Sequence, residues 1–266
     1  MPSRRTFVKL AVGCCLAGAA GPLRAFASLN IGVGTYSYHG LSVDDMIVQL
    51  KALRVWEIEM SRVEFMLLSH PTDQLFRTTK EKLDRAGIRC VSYYAATFKS
   101  SQDIEDAIRF ARLLGATNIT GDADEDILKN IDKRLTEEGL TFGLHNHFFP
   151  YKFAYESPED VLNALAGLSK TMGATADTGH FASCGYDPVD AIRKLAPRLR
   201  LVHLKDIQAK GGEVNVLLGN GIARIPEVMQ ELHRQNFAGL VAVEYEKEGD
   251  INQDVAQEVA FARKLA

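Results

Sequence analysis

Two histidines one residue apart, His145 and His147, end the apolar part of the segment LTFGLHNHFFP, Leu140 to Pro150. An imidazole ligates divalent metals and exchanges protons near neutral pH, so such a pair on one strand face fits either task. Comparable groups recur along the chain. Asp177 and His180 stand in TADTGH, His203 and Lys205 in LVHLKD, Glu244 and Glu246 in VAVEYE, and Glu57 and Glu59 in VWEIEM. Side chains alternate along a strand, so His145 shares a face with His147, His203 with Lys205, Glu244 with Glu246, and Glu57 with Glu59. Carboxylates gathered in one buried place repel unless they share a cation. Asp177 and Glu244 with His145 and His203 supply two carboxylates and two imidazoles, a set suited to one divalent ion (Mn, Zn, Mg or Co, its identity left open). A lone His203 would read as a hydrogen-bonded core histidine. Several strands agreeing in register favour a shared metal.

The elements that must position these groups alternate regularly. Apolar or β-branched runs fall at 31–36, 55–60, 88–94, 118–121, 141–145, 174–177, 199–204 and 240–245. Helical spacing fills 43–53, 73–86, 104–114, 125–138, 158–168, 188–195, 225–235 and 254–265. Gly87, Gly115 and Gly139 stand just past helix ends, and Ser157-Pro158-Glu159-Asp160 reads as a capped helix start. Strand-helix units of this number and evenness, with no Pro- or Ser-rich linker, predict an α/β fold, a single (β/α)8 TIM barrel over residues 28–266. The C-terminal end of such a barrel is where its chemistry is placed, and the groups above fall there on strands two, five, six, seven and eight. A long glycine-containing loop, 207–223, is expected to cover or touch the site.

Residues 1–27 read as an export signal: twin arginines Arg4 and Arg5, an apolar run from Leu10 to Ala20, and the cleavage triplet Ala25-Phe26-Ala27. The expected location is periplasmic or secreted, with no stable membrane span after the signal is removed. The signal holds four of the 31 basic residues and no acid, leaving 27 basic against 34 acidic, a formal charge of −7. That charge argues against a nucleic-acid partner. Cys90 and Cys184 remain after cleavage and are expected as separate free thiols.

HNH at 145–147, DTGH at 177–180, HLKD at 203–206, GNG at 219–221 and EYE at 244–246 resemble the xylose-isomerase-like barrel superfamily, the sugar phosphate isomerases/epimerases. The resemblance spans nearly all of 28–266. It implies one divalent metal held by Glu, Asp, His and Glu from strands five to eight. Asp177, His203 and Glu244 match three of these, and His145 stands where the family pattern is often Glu. The family's 3-epimerases are implied to move a proton between two ligand glutamates, and only Glu244 remains here. Endonuclease IV needs three zincs and a basic face. In the amidohydrolase barrels the His-x-His pair lies on the first strand, not the fifth.

The expected function is a divalent-metal-dependent sugar isomerase or epimerase, abstracting a proton beside a carbonyl with enediolate stabilisation. The alternatives are a lyase or dehydratase on a keto-sugar or polyol, and a non-catalytic exported sugar-binding barrel. Glu244 or His145 would take the proton, and His180, Lys205 or Glu59 would return one or polarise an oxygen. His147, Glu59, Lys205 and Tyr38 are the expected contacts to a small carbohydrate or polyol. Lys205 and Asp206 also have a structural reading as a strand-end ion pair, and Asn146 as a residue serving the backbone. A homodimer is left open.

Overall fold

In a computed structural model, residues 28–61, 71–148, 155–247, 249 and 251–266 are described. The expected signal, 1–27, lies outside them. Among the described residues no helix is long and apolar enough to cross a membrane.

Eight parallel strands close on themselves: β1 (Asn30–Gly34), β2 (Glu57–Ser61), β3 (Arg89–Thr97), β4 (Asn118–Asp122), β5 (Thr141–His145), β6 (Met172–Asp177), β7 (Leu199–Leu204) and β10 (Leu240–Val243). Each neighbours the next, and β10 pairs with both β7 and β1 to complete the ring. Helices α1 (Val43–Ala52), α2 (Asp73–Ala86), α3 (Ser101–Leu114), α4 (Glu125–Glu138), α5 (Pro158–Ala164), α7 (Pro188–Leu195), α8 (Ile225–Arg234) and α9 (Ile251–Leu265) follow strands in turn. The single (β/α)8 TIM barrel is therefore observed.

Three small elements were not expected: a 3-10 turn at Thr35–Tyr38, the helix α6 (Thr178–Cys184), and an antiparallel ribbon of β8 (Asp206–Ile207) with β9 (Asn215–Val216). All three follow barrel strands at the C-terminal end and shape the mouth. Sequence periodicity could not show them, because each is shorter than two full periods of its own pattern.

The punctuation works as expected. Gly87, Gly115 and Gly139 are left-handed at the ends of α2, α3 and α4. Ser157 and Asp160 form a reciprocal capping box at α5. Cys90 and Cys184 are free. The outward residues of β7, Val202 and Leu204, are buried in the main apolar core between sheet and helices. Inside the barrel the packing differs by level. At the bottom, Leu201, Leu240 and Ala242 form a separate apolar cluster with Val91. Above them lies a tier of buried hydroxyls: Ser92 Oγ is 3.2 Å from Thr120 Oγ1, which is 3.0 Å from Thr175 Oγ1. Gly143 makes room for this tier, since a Cβ there would stand 2.1 Å from Thr175 Oγ1. Ionisable side chains stand above it.

The long loop is an ordered strap. Its organiser is Asp206, whose carboxylate accepts the backbone N–H groups of Gly219, Gly221 and Ala223 at 2.9–3.0 Å. A Cβ on Gly221 would meet Asp206 Oδ1 at 2.2 Å, which is why the GNG turn ends in glycine. The expected Lys205–Asp206 ion pair does not form: with four amides to serve, counting Ile207, Asp206 is turned away from the mouth.

Glu258 of α9 fastens the same strap by accepting Leu218 N–H at 2.9 Å, while its Oε2 has no partner. Burial pushes this carboxyl up to about 8, Asp206 and Asp254 add to the shift, and the Leu218 amide opposes it. The folded state thus keeps a proton that the unfolded chain releases near the ordinary glutamate value of about 4.3. The resulting stability is complete below that value and is lost as pH rises toward 8. Glu258→Gln, which cannot ionise, is expected to gain on the parent by roughly 5 °C in melting temperature between about pH 5 and about pH 8. Parallel melting curves for the two proteins across that range would show that Glu258 does not carry this proton.

Candidate metal centre

Asp177 stands where β6 gives way to α6, and its two oxygens have different duties. Oδ1 accepts the backbone N–H of His180 at 2.9 Å and caps the new helix. Oδ2 is buried and makes no hydrogen bond. Around that oxygen lie Lys205 Nζ at 3.2 Å, an ion pair, with His180 Nε2 at 3.5 Å, His145 Nε2 at 3.9 Å and His203 Nδ1 at 4.0 Å. One ligand atom each from Asp177, His203 and Glu244 lies within 4.8 Å of the others, and the same holds for His145, Asp177 and His180.

β7 supplies His203, and each of its ring nitrogens is committed. Nδ1 is 2.6 Å from Glu244 Oε2 and 3.0 Å from His145 Nε2. Nε2 bonds to Glu59 Oε2, and Glu59 Oε1 in turn accepts from Ser92 Oγ at 2.7 Å. A carboxylate behind a histidine fixes ring and tautomer and leaves the other nitrogen to a metal. His145 Nε2, His203 Nδ1, Asp177 Oδ2 and Glu244 Oε2 all border one small space. Two of these donors are carboxylate oxygens and two are imidazole nitrogens, and one buried oxygen has no hydrogen bond. The set fits a divalent ion.

Lys205 is buried beside this space, its ammonium 3.2, 3.1 and 3.0 Å from Asp177 Oδ2, Glu244 Oε1 and Glu246 Oε1. Its stem lies across the first turn of α6, where a Cβ on Gly179 would meet Lys205 Cγ at 2.7 Å. The glycine of DTGH is there for that lysine. Thr178 Oγ1 accepts from Lys205 N at 3.0 Å and fixes the backbone on the same side.

Protonation follows these neighbours. Burial depresses the His145 ring well below its ordinary value, and the adjoining imidazoles of His147 and His203 deepen the effect. His180 is likewise held neutral, by burial and then by the Lys205 ammonium. Burial alone would lower His203 and Lys205, but the carboxylates against them outweigh it and raise both. Glu244 is held well below the usual carboxylate range against its own burial by His203 and Lys205. Burial pushes Glu246 up to about 7, with Lys205 partly opposing.

A cavity of about 280 Å³ opens above these groups, lined by His145, His147, His180, His203, Lys205, Glu59 and Glu244 together with Glu246. The expected site residues therefore converge, with one exception and one change of part. Tyr38 does not line the cavity. The 3-10 turn after β1 rotates it into the apolar core, where it is 1 % exposed, and presents Tyr36 to the mouth instead. Glu59 reaches the cavity wall, yet both of its oxygens are engaged, by His203 and Ser92. Glu57, its face-mate, is at the opposite pole with Asn30 and Arg89. Asn146 serves the backbone as expected, donating to Asp177 O and accepting Asp177 N–H.

Sequence reading missed Tyr94, Asp122, Phe148 and the strap residues Glu213 and Asn215. Tyr94 OH lies 3.4 Å and Asp122 Oδ2 3.3 Å from His147 Nε2, which also meets His145 Nδ1 at 3.1 Å. Their signal was present, since Tyr94 shares a strand face with Ser92 and Asp122 follows directly on the apolar run of β4.

Residues 54–265 match the family model described as a xylose isomerase-like TIM barrel. Over 139 residues the chain is 27% identical to inosose dehydratase of Bacillus thuringiensis, a match covering 46% of either protein. The chain spans less than half the length of the curated relatives it matches. Among solved structures, the probable 3-DHS dehydratase AsbF of Bacillus anthracis superimposes with a TM-score of 0.73 at 14% identity, over 87% of this chain and 98% of that one. IolI protein, crystallised with a zinc atom, superimposes with a TM-score of 0.69 at 14% identity, over 89% of this chain and 96% of its own. These two likenesses are of fold.

His203→Ala is expected to abolish stoichiometric binding of manganese or zinc in a calorimetric titration. Glu59→Gln should weaken it 10- to 100-fold by loosening the ring behind the ligand atom. Unchanged affinity in both variants would remove the metal centre.

Proposed function

The chain belongs to the xylose isomerase-like TIM barrel family, and on that premise we propose that it is a metal-dependent dehydratase acting on a keto-polyol. An ion held by His145, Asp177, His203 and Glu244 would supply Lewis-acid polarisation of the substrate carbonyl. The observation that carries the reading is the pairing of Glu244 Oε1 with Lys205 Nζ at 3.1 Å on one side of the cavity.

The carboxylate of Glu244, held ionised by His203 and Lys205, takes the proton from the carbon beside the carbonyl. Lys205 Nζ gives a proton to the hydroxyl on the next carbon as the C–O bond breaks, and water leaves. Glu244 Oε1 returns its proton to Lys205 Nζ across that contact, so both groups are restored. His180 and His147 orient the remaining hydroxyls, and Tyr36 and Phe148 present ring faces to the carbon skeleton.

Isomerisation or epimerisation, the reaction anticipated from the sequence, begins with the same proton removal. It then needs an acid on the opposite face of the substrate. His145, which stands where a second glutamate would be looked for, is neutral, with one nitrogen 3.1 Å from His147 and the other 3.0 Å from His203. Base and acid on one side favour loss of water over transfer of a proton across the ring. The inosose dehydratase among the protein's relatives supports the same choice. Export through residues 1–27 remains part of the proposal.

Metal-loaded protein supplied with a keto-cyclitol in deuterated water should produce a conjugated enone, seen by ultraviolet absorbance and by NMR. Lys205→Met should slow water loss by two to four orders of magnitude while slow deuterium uptake at the substrate carbon persists. An epimer carrying deuterium, with every oxygen kept, would instead establish the isomerase. Absence of both products would leave only sugar binding.

A further inference from the structure

Glu59 heads a polar row that crosses four neighbouring strands. It is the direct register partner of Ser92 on β3, Ser92 is that of Asn118 on β4, and Asn118 is that of Thr141 on β5. The strands of a closed barrel are staggered, so the row descends from the mouth to the opposite pole. A second cavity of about 280 Å³ opens there, and Ser92, Asn118 and Thr141 all line it. Ser92 is itself fully buried, so a single hydroxyl stands between this cavity and the carboxylate of Glu59 in the mouth.

Side-chain hydrogen bonds run the length of the row, all in one direction. Thr141 Oγ1 donates to Asn118 Oδ1 at 2.8 Å, Asn118 Nδ2 to Ser92 Oγ at 3.0 Å, and Ser92 Oγ to Glu59 Oε1 at 2.7 Å. Glu59 Oε2 then accepts the Nε2–H of His203, whose Nδ1 faces the metal space. Asn118 gives the row its sense. Its amide carries an acceptor on one arm and donors on the other, and the Thr141 hydroxyl holds the acceptor arm downward. The donor arm therefore points up, 3.0 Å from Ser92 Oγ and 3.3 Å from Thr120 Oγ1. Ser92 takes a proton from below and spends its own on Glu59. A leucine at 118 would offer no proton, and an aspartate would compete with Glu59 for the one that Ser92 has.

We propose that Ser92 and Asn118 are positioning residues for the metal centre: from the far side of the barrel they aim Glu59 at the Nε2–H of His203 and so hold Nδ1 toward the ion. The inference rests on the metal centre described above, and not on which reaction that centre serves. A hydroxyl fixed on one oxygen of Glu59 stops the carboxylate from turning and commits the other oxygen to the ring, which in turn keeps the ring proton away from the ligand nitrogen.

The test joins calorimetric titration with zinc to nitrogen-edited NMR of the full chain. In the zinc-free protein the His203 Nε2–H, bonded to a carboxylate, should give a slowly exchanging signal far downfield. Ser92→Ala should shift that signal, speed its exchange with solvent and weaken zinc about tenfold. Ser92→Thr keeps the hydroxyl, has the cavity alongside to take its methyl, and should restore both. Asn118→Asp matches the parent in size and puts a negative charge below the ion, which by attraction alone would tighten zinc. It should instead weaken zinc more than Asn118→Ala does, because it draws away the Ser92 proton. Val91→Ala, in the same cavity but outside the row, should lower the melting temperature and leave signal and affinity unchanged. The proposal is overturned if Ser92→Ala leaves signal and affinity as in the parent, if Ser92→Thr rescues neither, or if Asn118→Asp binds zinc as tightly as Asn118→Ala. Zinc bound by the parent and lost in His203→Ala, but indifferent to Ser92 and Asn118, would sink this inference alone. No zinc bound by the parent would sink the metal centre itself, with the NMR signal still deciding whether the row aims Glu59.

Discussion

Asp177, Glu244 and Glu59 are buried at the same end of a closed sheet, where each negative charge must meet a cation or a donor to persist. The neighbouring elements answer that demand. Lys205 is pulled in from β7 until its ammonium touches three carboxylates, α6 begins where it does because Asp177 can cap it, and His203 is fixed between Glu59 and Glu244. One oxygen of Asp177 is left without a hydrogen bond in the middle of this network. A scaffold rarely leaves a buried carboxylate oxygen so, and with imidazole nitrogens beside it this one could serve as a ligand to a divalent ion.

Support of the site is divided among residues that never reach the cavity. Asn146 joins the ends of β5 and β6 by bonding both backbone groups of Asp177. Asp206 gathers the amides of the strap, and Glu258 pins it from α9. Precision at the mouth thus rests on polar groups spent entirely on backbone. His145 adds to that support from the cavity side: its neutral ring is joined to two others, His147 at 3.1 Å and His203 at 3.0 Å.

Most of the barrel was legible in the sequence, because eight repeats of a two-residue period followed by a 3.6-residue period leave little choice of architecture. The strand-end carboxylates and imidazoles were legible too, since alternation fixes which face each takes once the strand is located. The misreadings share a physical cause. Tyr38 and Asp206 depend on short irregular segments, where a 3-10 turn or a strap decides which way the side chain turns. Asp206 is the clearest instance. Its neighbour in sequence is a lysine, yet four amides folding back from residues far along the chain claim it first. Only tertiary structure brings those amides near.

Beneath the ionised groups, Ser92, Thr120 and Thr175 form a floor of hydroxyls, with Ser92 in contact with Glu59. A hydroxyl differs from a methyl of the same size in being a rotor: it can reverse from donor to acceptor by turning about one bond. A floor made of rotors is a polarisable bed, able to follow a change of charge overhead without moving the backbone. New chemistry at the strand tips can therefore evolve by exchanging one tip residue at a time, the substrate-facing layer being uncoupled from the apolar plug that keeps the staves together.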